Sequence, residues 1–336
     1  MISKKNKFKK KVFIIAEVGN NHEGNFNVAK KLIHLAAKAG VDAIKFQTFK
    51  TENFINKKNK KRFNQLKKFE LKYNQFEKLK KIAHKKKLLF ISTPLDIVSA
   101  VFLNKTADII KIASSDNNFF PLLDVVTKSK KPLIISTGMT SFSQIKLLIS
   151  YLNKKVGKKV AEKNISLLQC VTSYPVEDKY ANLNSIPFLV KNTKLRIGYS
   201  DHTIGYEACL GAVALGAEII EKHFTLSKNY SKFRDHAISS DFVELKKIVD
   251  GIRKLEKQMG FFDKKILKPE KKIIKLVRRS VHATQNIQAG SKINLENVKF
   301  LRKTTTDDYL HLRDVIGKKT KKKIFRNQRI DLKKLI

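Results

Sequence analysis

The sequence contains little cysteine. Cys170 and Cys209 are the two cysteines among 336 residues, and both lie in apolar stretches outside any Cys-x-x-Cys pair. This usage argues against metal or redox sites built on paired cysteines. It predicts two reduced, buried thiols in a protein from a reducing compartment.

Long hydrophobic runs are also absent. No stretch approaches the roughly 20 apolar residues that are needed to span a bilayer. The basic start followed by apolar residues 12–16 is similar to a signal peptide, but Glu17 ends the run. The run is therefore shorter than the minimum of about 7 apolar residues that export requires. We expect a cytoplasmic protein without a membrane partner.

Acidic residues are scarce relative to basic ones. Asp and Glu total 29 against 71 Lys and Arg, which gives a formal net charge of +42. Such an excess often accompanies nucleic-acid binding. Here the lysines occur in short runs over the whole chain, and no recognised nucleic-acid motif accompanies them. We interpret the charge as a solvated surface and predict no nucleic-acid partner.

The first 260 residues alternate short apolar runs with longer amphipathic segments. The runs have strand length and nearly continuous apolar character, which is typical of parallel strands covered on both faces. They are residues 12–16, 43–46, 88–91, 109–112, 133–135, 165–168, 195–198 and 218–221. Helical spacing follows, as in residues 242–259 after a predicted Asp241 cap. Eight such repeats predict a (β/α)8 TIM barrel, and a doubly wound open sheet is the alternative.

The pattern changes after residue 260. Residues 287–298 and 324–335 share the pattern Ile-x5-Ile-[Asn/Asp]-Leu-x2-[Val/Leu], which predicts two similar β units. Asn327 stands in the second unit where Gly290 stands in the first, and Asn also tolerates left-handed geometry. The predicted organisation is a barrel domain over 1–262, a linker over 263–277 and a small β-rich domain over 278–336.

Polar residues stand at the carboxyl ends of the eight predicted strands. In a barrel these ends converge on one rim, where catalytic sites are built. A single polar cluster is as well explained by a turn or a helix cap, but eight in phase are not. The residues at these ends include Glu17, Lys45, Gln47, Thr93, Lys111, Ser114, Ser136, Tyr174, Ser200, His202 and His223.

His202 and His223 are the candidate metal ligands. Each follows one of two neighbouring strands, so the barrel brings the two imidazoles together. Two His with water and a substrate oxygen suit a divalent ion such as Mn²⁺. The alternative is that one or both form hydrogen bonds in the rim. His22, after the first strand, could line the same pocket.

Two lysines at strand ends, Lys45 and Lys111, predict an anion site. A buried lysine is costly unless it is paired, so two of them imply an anionic ligand. Hydroxyl groups at neighbouring strand ends complete the set: Thr93, Ser114, Ser136 and Ser200. The alternative is an internal salt bridge to Glu17 or Asp116. Glu17 is then a general acid or base, a hydroxyl ligand or the partner of Lys45.

Six short motifs, in order along the chain, resemble those of the N-acetylneuraminate (sialic acid) synthase family, which includes members similar to legionaminic and pseudaminic acid synthases. They are residues 15–24 (IAEVGNNHEG), 44–48 (IKFQT), 90–94 (FISTP), 135–139 (ISTGM), 197–203 (IGYSDHT) and 221–225 (EKHFT). The tail from Arg278 to Arg302 resembles that family's C-terminal antifreeze-like (SAF) domain. The match covers essentially the whole chain.

The resemblance implies a TIM barrel joined to an SAF domain, in a domain-swapped homodimer. It implies that His202 and His223 bind Mn²⁺, or a similar ion such as Mg²⁺ or Co²⁺. The residues implied for phosphoenolpyruvate are Lys45, Thr93, Lys111, Ser114, Ser136 and Ser200. Those implied for the sugar are Glu17, Gln47, Tyr174, Asp235 and the partner's Arg302.

The implied reaction joins phosphoenolpyruvate, an N-acylated amino-sugar and water to give a nonulosonic (sialic-type) acid and phosphate. Two departures lie on the sugar side, namely Arg234 before Asp235 and Asp116 in place of an expected Glu. The acceptor therefore stays open between N-acetylmannosamine, its 6-phosphate and a 6-deoxy diacetamido sugar. The alternatives are another phosphoenolpyruvate-using or aldol-type barrel enzyme, such as a 3-deoxy-sugar-acid synthase, and a basic non-catalytic binding protein.

Overall fold

The computed structural model describes residues 11–302 and 312–336. These residues form two compact units, which are divided in the sequence between Gly260 and Phe261. Among the described residues, no helix has both the length and the apolar character that crossing a membrane requires.

The first unit is a closed barrel of eight parallel strands. They are β1 (Phe13–Gly19), β2 (Ala43–Thr48), β3 (Leu89–Pro94), β4 (Ile109–Ile112), β5 (Leu133–Ser136), β6 (Ile165–Cys170), β7 (Arg196–Asp201) and β8 (Ile219–His223). Each strand pairs with the next along the chain, and β8 pairs with β1 to close the barrel. The predicted (β/α)8 barrel is confirmed. The doubly wound alternative is wrong because an open sheet would leave β1 and β8 unpaired with each other.

Between residues 11 and 260, twelve α-helices accompany the strands. They are α1 (Phe26–Ala39), α2 (Thr51–Phe54), α3 (Lys60–Phe69), α4 (Tyr73–Lys85), α5 (Ile97–Thr106), α6 (Phe120–Thr127), α7 (Phe142–Val156), α8 (Lys158–Asn164), α9 (Ser185–Asn192), α10 (Glu207–Ala214), α11 (Arg234–Ile238) and α12 (Phe242–Gln258). The predicted Asp241 cap of α12 is confirmed, since its carboxylate accepts a hydrogen bond from the Glu244 N–H at 2.9 Å. Such a cap stabilises the first turn of a helix by about 1 kcal/mol.

Side chains alternate along each barrel strand between an outer core and the barrel interior. On β1, Ile14 and Val18 pack in the outer core under the helices, whereas Ile15 packs inside the barrel. The inward residues near the amino ends form an apolar layer, namely Phe13, Ile15, Ala43, Ile91, Ile109, Ile134, Leu168 and Ile219. These bulky side chains fill the lower barrel as a packed core.

The next inward position on each strand, toward its carboxyl end, forms a polar layer. Its members are Glu17, Lys45, Thr93, Lys111, Ser136, Cys170, Ser200 and Glu221, and all eight are buried. We expected most of these residues to follow the strands, but they lie within them. The reason is that the parallel ladders continue through the polar positions, as where Glu17 pairs in register with both Lys45 and His223.

The second unit contains α13 (Lys268–Val277) and an antiparallel pair of strands, β9 (Arg279–Ala283) and β10 (Val298–Arg302). Helix α13 lies in the segment that we predicted as a linker. Its first turn holds Pro269 and Glu270, and the Glu270 side chain accepts a hydrogen bond from the Leu267 N–H at 2.7 Å. Both features favour the start of a helix.

The two predicted repeats occupy equivalent places in the core of the second unit. Ile287 and Ile324, which begin them, exchange both backbone hydrogen bonds at 2.8 and 2.9 Å. The matching pairs that follow are buried in one cluster, namely Ile293 with Ile330 and Val298 with Leu335. Gly290 and Asn327 both have left-handed backbones, with φ of 83° and 63°. The predicted equivalence of the repeats is confirmed.

Candidate active site

Charge pairs around Lys45 hold the polar layer together. The Lys45 ammonium lies 2.9 Å from Glu17 Oε1 and 3.5 Å from Glu221 Oε1, and it donates to Thr93 Oγ1 at 3.4 Å. Burial lowers the pKa of Lys45, but the two carboxylates outweigh burial and raise it. For Lys45, the internal salt bridge given as the alternative to an anion site is therefore present.

Glu221 is a site residue that our sequence reasoning missed. Its Oε1 accepts a hydrogen bond from Ser200 Oγ at 3.0 Å. Burial raises the pKa of Glu221, but Lys111 and Lys45 outweigh burial and lower it. A signal was present, because Glu221 stands two positions before His223 on one strand and residues at that spacing share a face.

Glu17 differs from Glu221 in the proton state that its surroundings favour. Burial raises the pKa of Glu17 more than the nearby Lys45 lowers it. Its second oxygen, Oε2, is buried without a hydrogen-bond partner among the described residues. Two carboxyl groups whose pKa values are pushed apart provide a base and an acid. Glu17 is therefore the carboxyl group of this pair that can hold a proton.

Lys111 is a buried cation of a different kind. It donates to Ser136 Oγ at 2.6 Å and to the Ile112 carbonyl at 2.9 Å. In the described part of the chain, no carboxylate lies within ion-pair distance of its ammonium, and Asp116 accepts from Ser115 instead. Burial lowers the pKa of Lys111, against the opposing effect of Glu221, which acts from beyond ion-pair distance. An anion bound beside Lys111 would supply a counter-charge in direct contact.

Ser114 lies in a short 3-10 helix after β4, next to the backbone of Gly138. Its hydroxyl accepts a hydrogen bond from the Gly138 N–H at 3.1 Å. A Cβ at position 138 would lie 2.7 Å from Ser114 Oγ and 2.3 Å from Thr172 Oγ1. Only glycine allows this approach, which places two hydroxyl groups against a peptide.

The two candidate metal ligands lie side by side above the polar layer. The ring centroids of His202 and His223 are 5.3 Å apart, and the Tyr174 ring lies 4.3 Å from His202 and 6.0 Å from His223. Both imidazoles are buried. The geometric part of the prediction, that neighbouring strand ends bring the two rings together, is confirmed.

The surroundings of the two rings favour different proton states. Burial lowers the pKa of His202, but its contacts with Cys170 and the Val171 carbonyl outweigh burial and raise it. His202 Nδ1 donates to the Val171 carbonyl at 2.9 Å, so Nε2 is the nitrogen left for a metal, which would replace a proton there. Burial lowers the pKa of His223 well below its usual value, and its buried Nδ1 has no hydrogen-bond partner among the described residues. A divalent ion fits two such nitrogens. Within the described ranges, no group of three or more His, Cys, Asp and Glu residues is arranged to hold a metal.

Gln47 and Asn20 extend the site beyond Glu17. Asn20 Nδ2 donates to Gln47 Oε1 at 2.9 Å, and Gln47 Nε2 donates to Glu17 Oε1 at 3.4 Å. These two bonds fix the orientation of the Gln47 amide. Asn20, which donates the first of them, lies in the loop after β1. Asn20 was part of a quoted motif, but we gave it no role from the sequence.

Tyr174, Arg234 and Asp235 form a second group near the histidines. The guanidinium of Arg234 lies 4.9 Å from the centre of the Tyr174 ring, and its Nε lies 3.2 Å from Asp235 Oδ1. Burial raises the pKa of Asp235, against the opposing effect of Arg234. The arginine that departs from the family pattern thus contacts two of the predicted sugar-side residues, Tyr174 and Asp235.

Of two further residues considered from the sequence, one lies outside the polar layer of the barrel and the other belongs to the second unit. His22 packs beside Phe46, a residue of the outer core, with ring centroids 6.1 Å apart, so its ring does not contact the polar layer. Arg302 ends β10 in the second unit, in register with Arg279, and its side chain is exposed.

The sequence profile of the NeuB family matches residues 32–264 of this chain. The chain belongs to the NeuB family. The N,N'-diacetyllegionaminic acid synthase of Campylobacter jejuni is 40% identical over 323 residues, which cover 92% of this chain and 96% of that protein. The pseudaminic acid synthase of the same organism is 32% identical and covers 94% of each chain.

A solved structure of a NeuB relative agrees. The N-acetylneuraminic acid synthetase of Leptospira borgpetersenii superposes with a TM-score of 0.74 at 38% identity, over 79% of this chain and 90% of that chain. The prediction of a sialic-acid-type synthase, an enzyme that forms a C–C bond between phosphoenolpyruvate and an amino-sugar, is confirmed. The alternatives, a 3-deoxy-sugar-acid synthase and a non-catalytic binding protein, are not favoured.

Proposed function

We propose that this NeuB-family enzyme condenses phosphoenolpyruvate with an N-acylated amino-sugar and water, to give a nonulosonic acid and phosphate, at the polar layer. The observation that carries the proposal is Lys111, a buried cation in the same layer as Lys45 and without a carboxylate at ion-pair distance in the described chain. Phosphoenolpyruvate carries a phosphate and a carboxylate, and both groups bind well to ammonium and hydroxyl donors.

The six residues of the predicted anion site divide into two sets around the enol phosphate. Lys45 with Thr93 and Lys111 with Ser136 are two lysine–hydroxyl pairs, at 3.4 and 2.6 Å. Ser114, just after β4, and Ser200, on β7, add two further hydroxyl groups. Fixing both charged ends of the substrate leaves its methylene carbon pointing in one direction, which supplies the entropic part of the rate enhancement.

The reaction then needs one proton acceptor. The methylene carbon forms a bond to the aldehyde carbon of the open-chain sugar, and positive charge develops at the carbon that carries the phosphate. Water adds to that carbon and passes one proton to Glu17 Oε2, which is buried without a partner among the described residues and belongs to a carboxyl group of raised pKa. That proton goes on to the former aldehyde oxygen, which has taken up the carbonyl electron pair. The second proton of the water leaves with phosphate as the C–O bond to phosphate breaks and the keto group forms.

His202 and His223 would hold a divalent ion, with Mn²⁺ as the first choice and Mg²⁺ or Co²⁺ as alternatives. When bound there, the ion supplies Lewis-acid polarisation of the aldehyde oxygen. The chain contributes by holding the two rings close together. Burial keeps His223 neutral, and the Val171 carbonyl accepts the Nδ1–H of His202, which leaves Nε2 for the ion.

For the acceptor, we propose a 6-deoxy diacetamido hexose. The support is the 40% identity to a protein named N,N'-diacetyllegionaminic acid synthase, together with Arg234, whose guanidinium lies against Tyr174 and Asp235. A guanidinium donates to amide carbonyls, and a second acetamido group provides one. N-acetylmannosamine and its 6-phosphate are the competing acceptors.

The remaining expectations complete the proposal. We propose that the second unit is an SAF domain, that it brings Arg302 to the sugar of the partner's barrel in a domain-swapped homodimer, and that the enzyme works in the cytoplasm. The support is the resemblance of residues 278–302 to that domain and the relation of the two repeats in its core.

The proposal is tested by measuring phosphate release and product mass with the three acceptors, with Mn²⁺ and with EDTA. We expect turnover only with phosphoenolpyruvate, an acceptor and the metal together, and fastest with the diacetamido sugar. His223→Ala should lower kcat by about 10²- to 10³-fold, because Lewis-acid catalysis is worth several kcal/mol.

The matched control is His34→Ala, which removes an exposed imidazole on α1. It should leave kcat unchanged. Phosphate release at the full rate in EDTA, or by His223→Ala, would contradict the metal role. Faster turnover with a phosphorylated acceptor would contradict the acceptor assignment alone.

A further inference from the structure

A buried ion pair lies on the outer face of the two strands that carry the histidines. Lys222 Nζ is 2.6 Å from Asp201 Oδ2, and both side chains are almost completely inaccessible, at 2% and 0%. Neither residue faces the barrel interior, so neither belongs to the polar layer. The function proposed above gives this pair no role.

The ion pair and the two imidazoles lie at the same two strand ends. Asp201 and Lys222 are direct partners in the ladder between β7 and β8. His202 and His223 follow them by one position, and because side chains alternate, they lie on the opposite, inner face. Any change in the spacing or twist of these two strand ends therefore moves both imidazoles.

Further bonds tie the pair to the residue after His202. Asp201 Oδ1 accepts from the Thr203 N–H at 2.9 Å and from Thr203 Oγ1 at 2.8 Å. Lys222 Nζ donates to the Thr203 carbonyl at 2.7 Å. The backbone on both sides of His202 is thus held by the same two charged groups.

Two more side chains complete the surroundings of Asp201. Tyr199, two positions earlier on β7, donates its hydroxyl to Asp201 Oδ1 at 3.2 Å. Cys209 of α10 donates its thiol to Asp201 Oδ2 at 3.3 Å. Every oxygen of the buried carboxylate is therefore bonded, which is the condition under which a buried charge is tolerated.

The other end of the same two strands gives a contrast. There Arg196 Nε lies 3.2 Å from Glu218 Oε2, and both side chains are about one-third exposed, at 34% and 35%. That pair also links β7 to β8, but it lies near the amino ends, away from the histidines. A buried pair adds little net stability compared with apolar residues, so stability alone does not explain why the charges are inside at the carboxyl ends.

We propose that Asp201 and Lys222 are positioning residues that fix the relative placement of His202 and His223, and thereby set the affinity of the two imidazoles for a divalent ion. This inference rests on the metal role in the proposed function. It assigns the two charged residues no contact with substrate or metal. They act through the backbone, in the way that outer-shell groups orient metal ligands.

The test measures Mn²⁺ binding to the full-length protein by electron paramagnetic resonance, without substrates. Asp201→Asn and Lys222→Met should each raise the Kd for Mn²⁺ by about 10- to 100-fold, the usual effect of losing an outer-shell partner. Arg196→Met, which breaks the pair at the other end of β7 and β8, should leave the Kd within about 2-fold of wild type.

Two further measurements keep the test decisive. Thermal unfolding identifies variants that fold, and Thr203→Val keeps the ion pair while removing one of its hydrogen bonds, so a smaller rise of about 3-fold is expected. Folded Asp201, Lys222 and Thr203 variants that bind Mn²⁺ as tightly as wild type would overturn the positioning role and leave the proposed function intact. A wild-type protein that binds no divalent ion would overturn the metal role and this inference together.

Discussion

The interior of this barrel has two adjacent layers that are chemically opposite. The apolar layer and the polar layer are separated by two positions on the same strands, as with Ile91 and Thr93 or Ile109 and Lys111. Apolar side chains fill space and need no partners, whereas each buried polar group needs hydrogen bonds or a counter-charge. Most of the polar layer finds them inside the protein, and Lys111 finds hydrogen bonds but no carboxylate among the described residues. The same eight strands therefore carry a layer that stabilises the barrel and, two positions further on, a layer that can bind a ligand.

The largest effect should come from removing the unmatched charge. Lys111→Met replaces the buried ammonium by an apolar chain of similar length, and we expect kcat/KM for phosphoenolpyruvate to fall by about 10²- to 10³-fold, as for other buried charged contacts to a ligand. Because the free enzyme no longer buries an ammonium group that has no carboxylate in contact with it, its thermal midpoint should stay the same or rise. Steady-state phosphate release and circular dichroism give the two quantities.

Lys131→Met is the matched control for this variant. Lys131 is partly buried just before β5, at the amino-terminal end of the barrel. Its replacement should leave kcat/KM unchanged. A Lys111→Met protein that keeps its activity but unfolds at a lower temperature would mean that Lys111 serves the fold and not the anion.

The sequence predicted the two layers unequally. Apolar runs identify strands by their burial, so all eight strands and their order were found. The strands were predicted to end before Glu17 and Thr93 because a hydrophobicity pattern cannot count polar residues as buried. Those side chains are tolerated inside because neighbouring strands supply partners, as Lys45 does for Glu17, and such partners are far apart in the sequence.

A smaller effect, on stability and not on activity, should come from a change in the apolar layer. Ile91→Ala leaves a cavity under Thr93, and we expect a loss of about 3 kcal/mol in the free energy of unfolding. The side chains that bind substrate stay in place, so kcat should remain within about 2-fold of wild type. Urea unfolding and phosphate release at a temperature where the variant is folded measure the two effects.

Ile91→Val serves as the graded control, because it removes one methyl group and should cost about 1 kcal/mol. If Ile91→Ala lowers kcat as strongly as Lys111→Met does, the two layers are mechanically coupled and the separation drawn above is wrong.

Within the candidate site, the residue types were predictable, whereas of their partners the sequence offered Glu17 for Lys45 as an alternative and missed Glu221. Counting by two along a strand could have added Glu221, because it shares the inward face with His223. No sequence pattern indicates that Lys45 lies between two carboxylates while Lys111 has none, since that depends on distances across the barrel. His22 shows the converse, because it stands in a site motif but packs on the outer side of β2 against Phe46.

The smallest effect should come from replacing His22. This change tests whether His22, which stands in a site motif, serves the stability of the fold and not catalysis. Burial lowers the pKa of His22 to about 4, from 6.5 in an unstructured chain. As pH falls from 7 to 5, the unfolded chain takes up a proton at this residue that the folded chain does not, so the folded state loses about 2 kcal/mol. His22→Asn should remove that part of the pH dependence while leaving the pH profile of kcat unchanged. Urea unfolding at the two pH values checks the difference, with His34→Asn on the surface of α1 as the control. If the free energy of unfolding of His22→Asn depends on pH as that of wild type does, or if the pH profile of kcat shifts, the assignment of His22 to the fold is wrong.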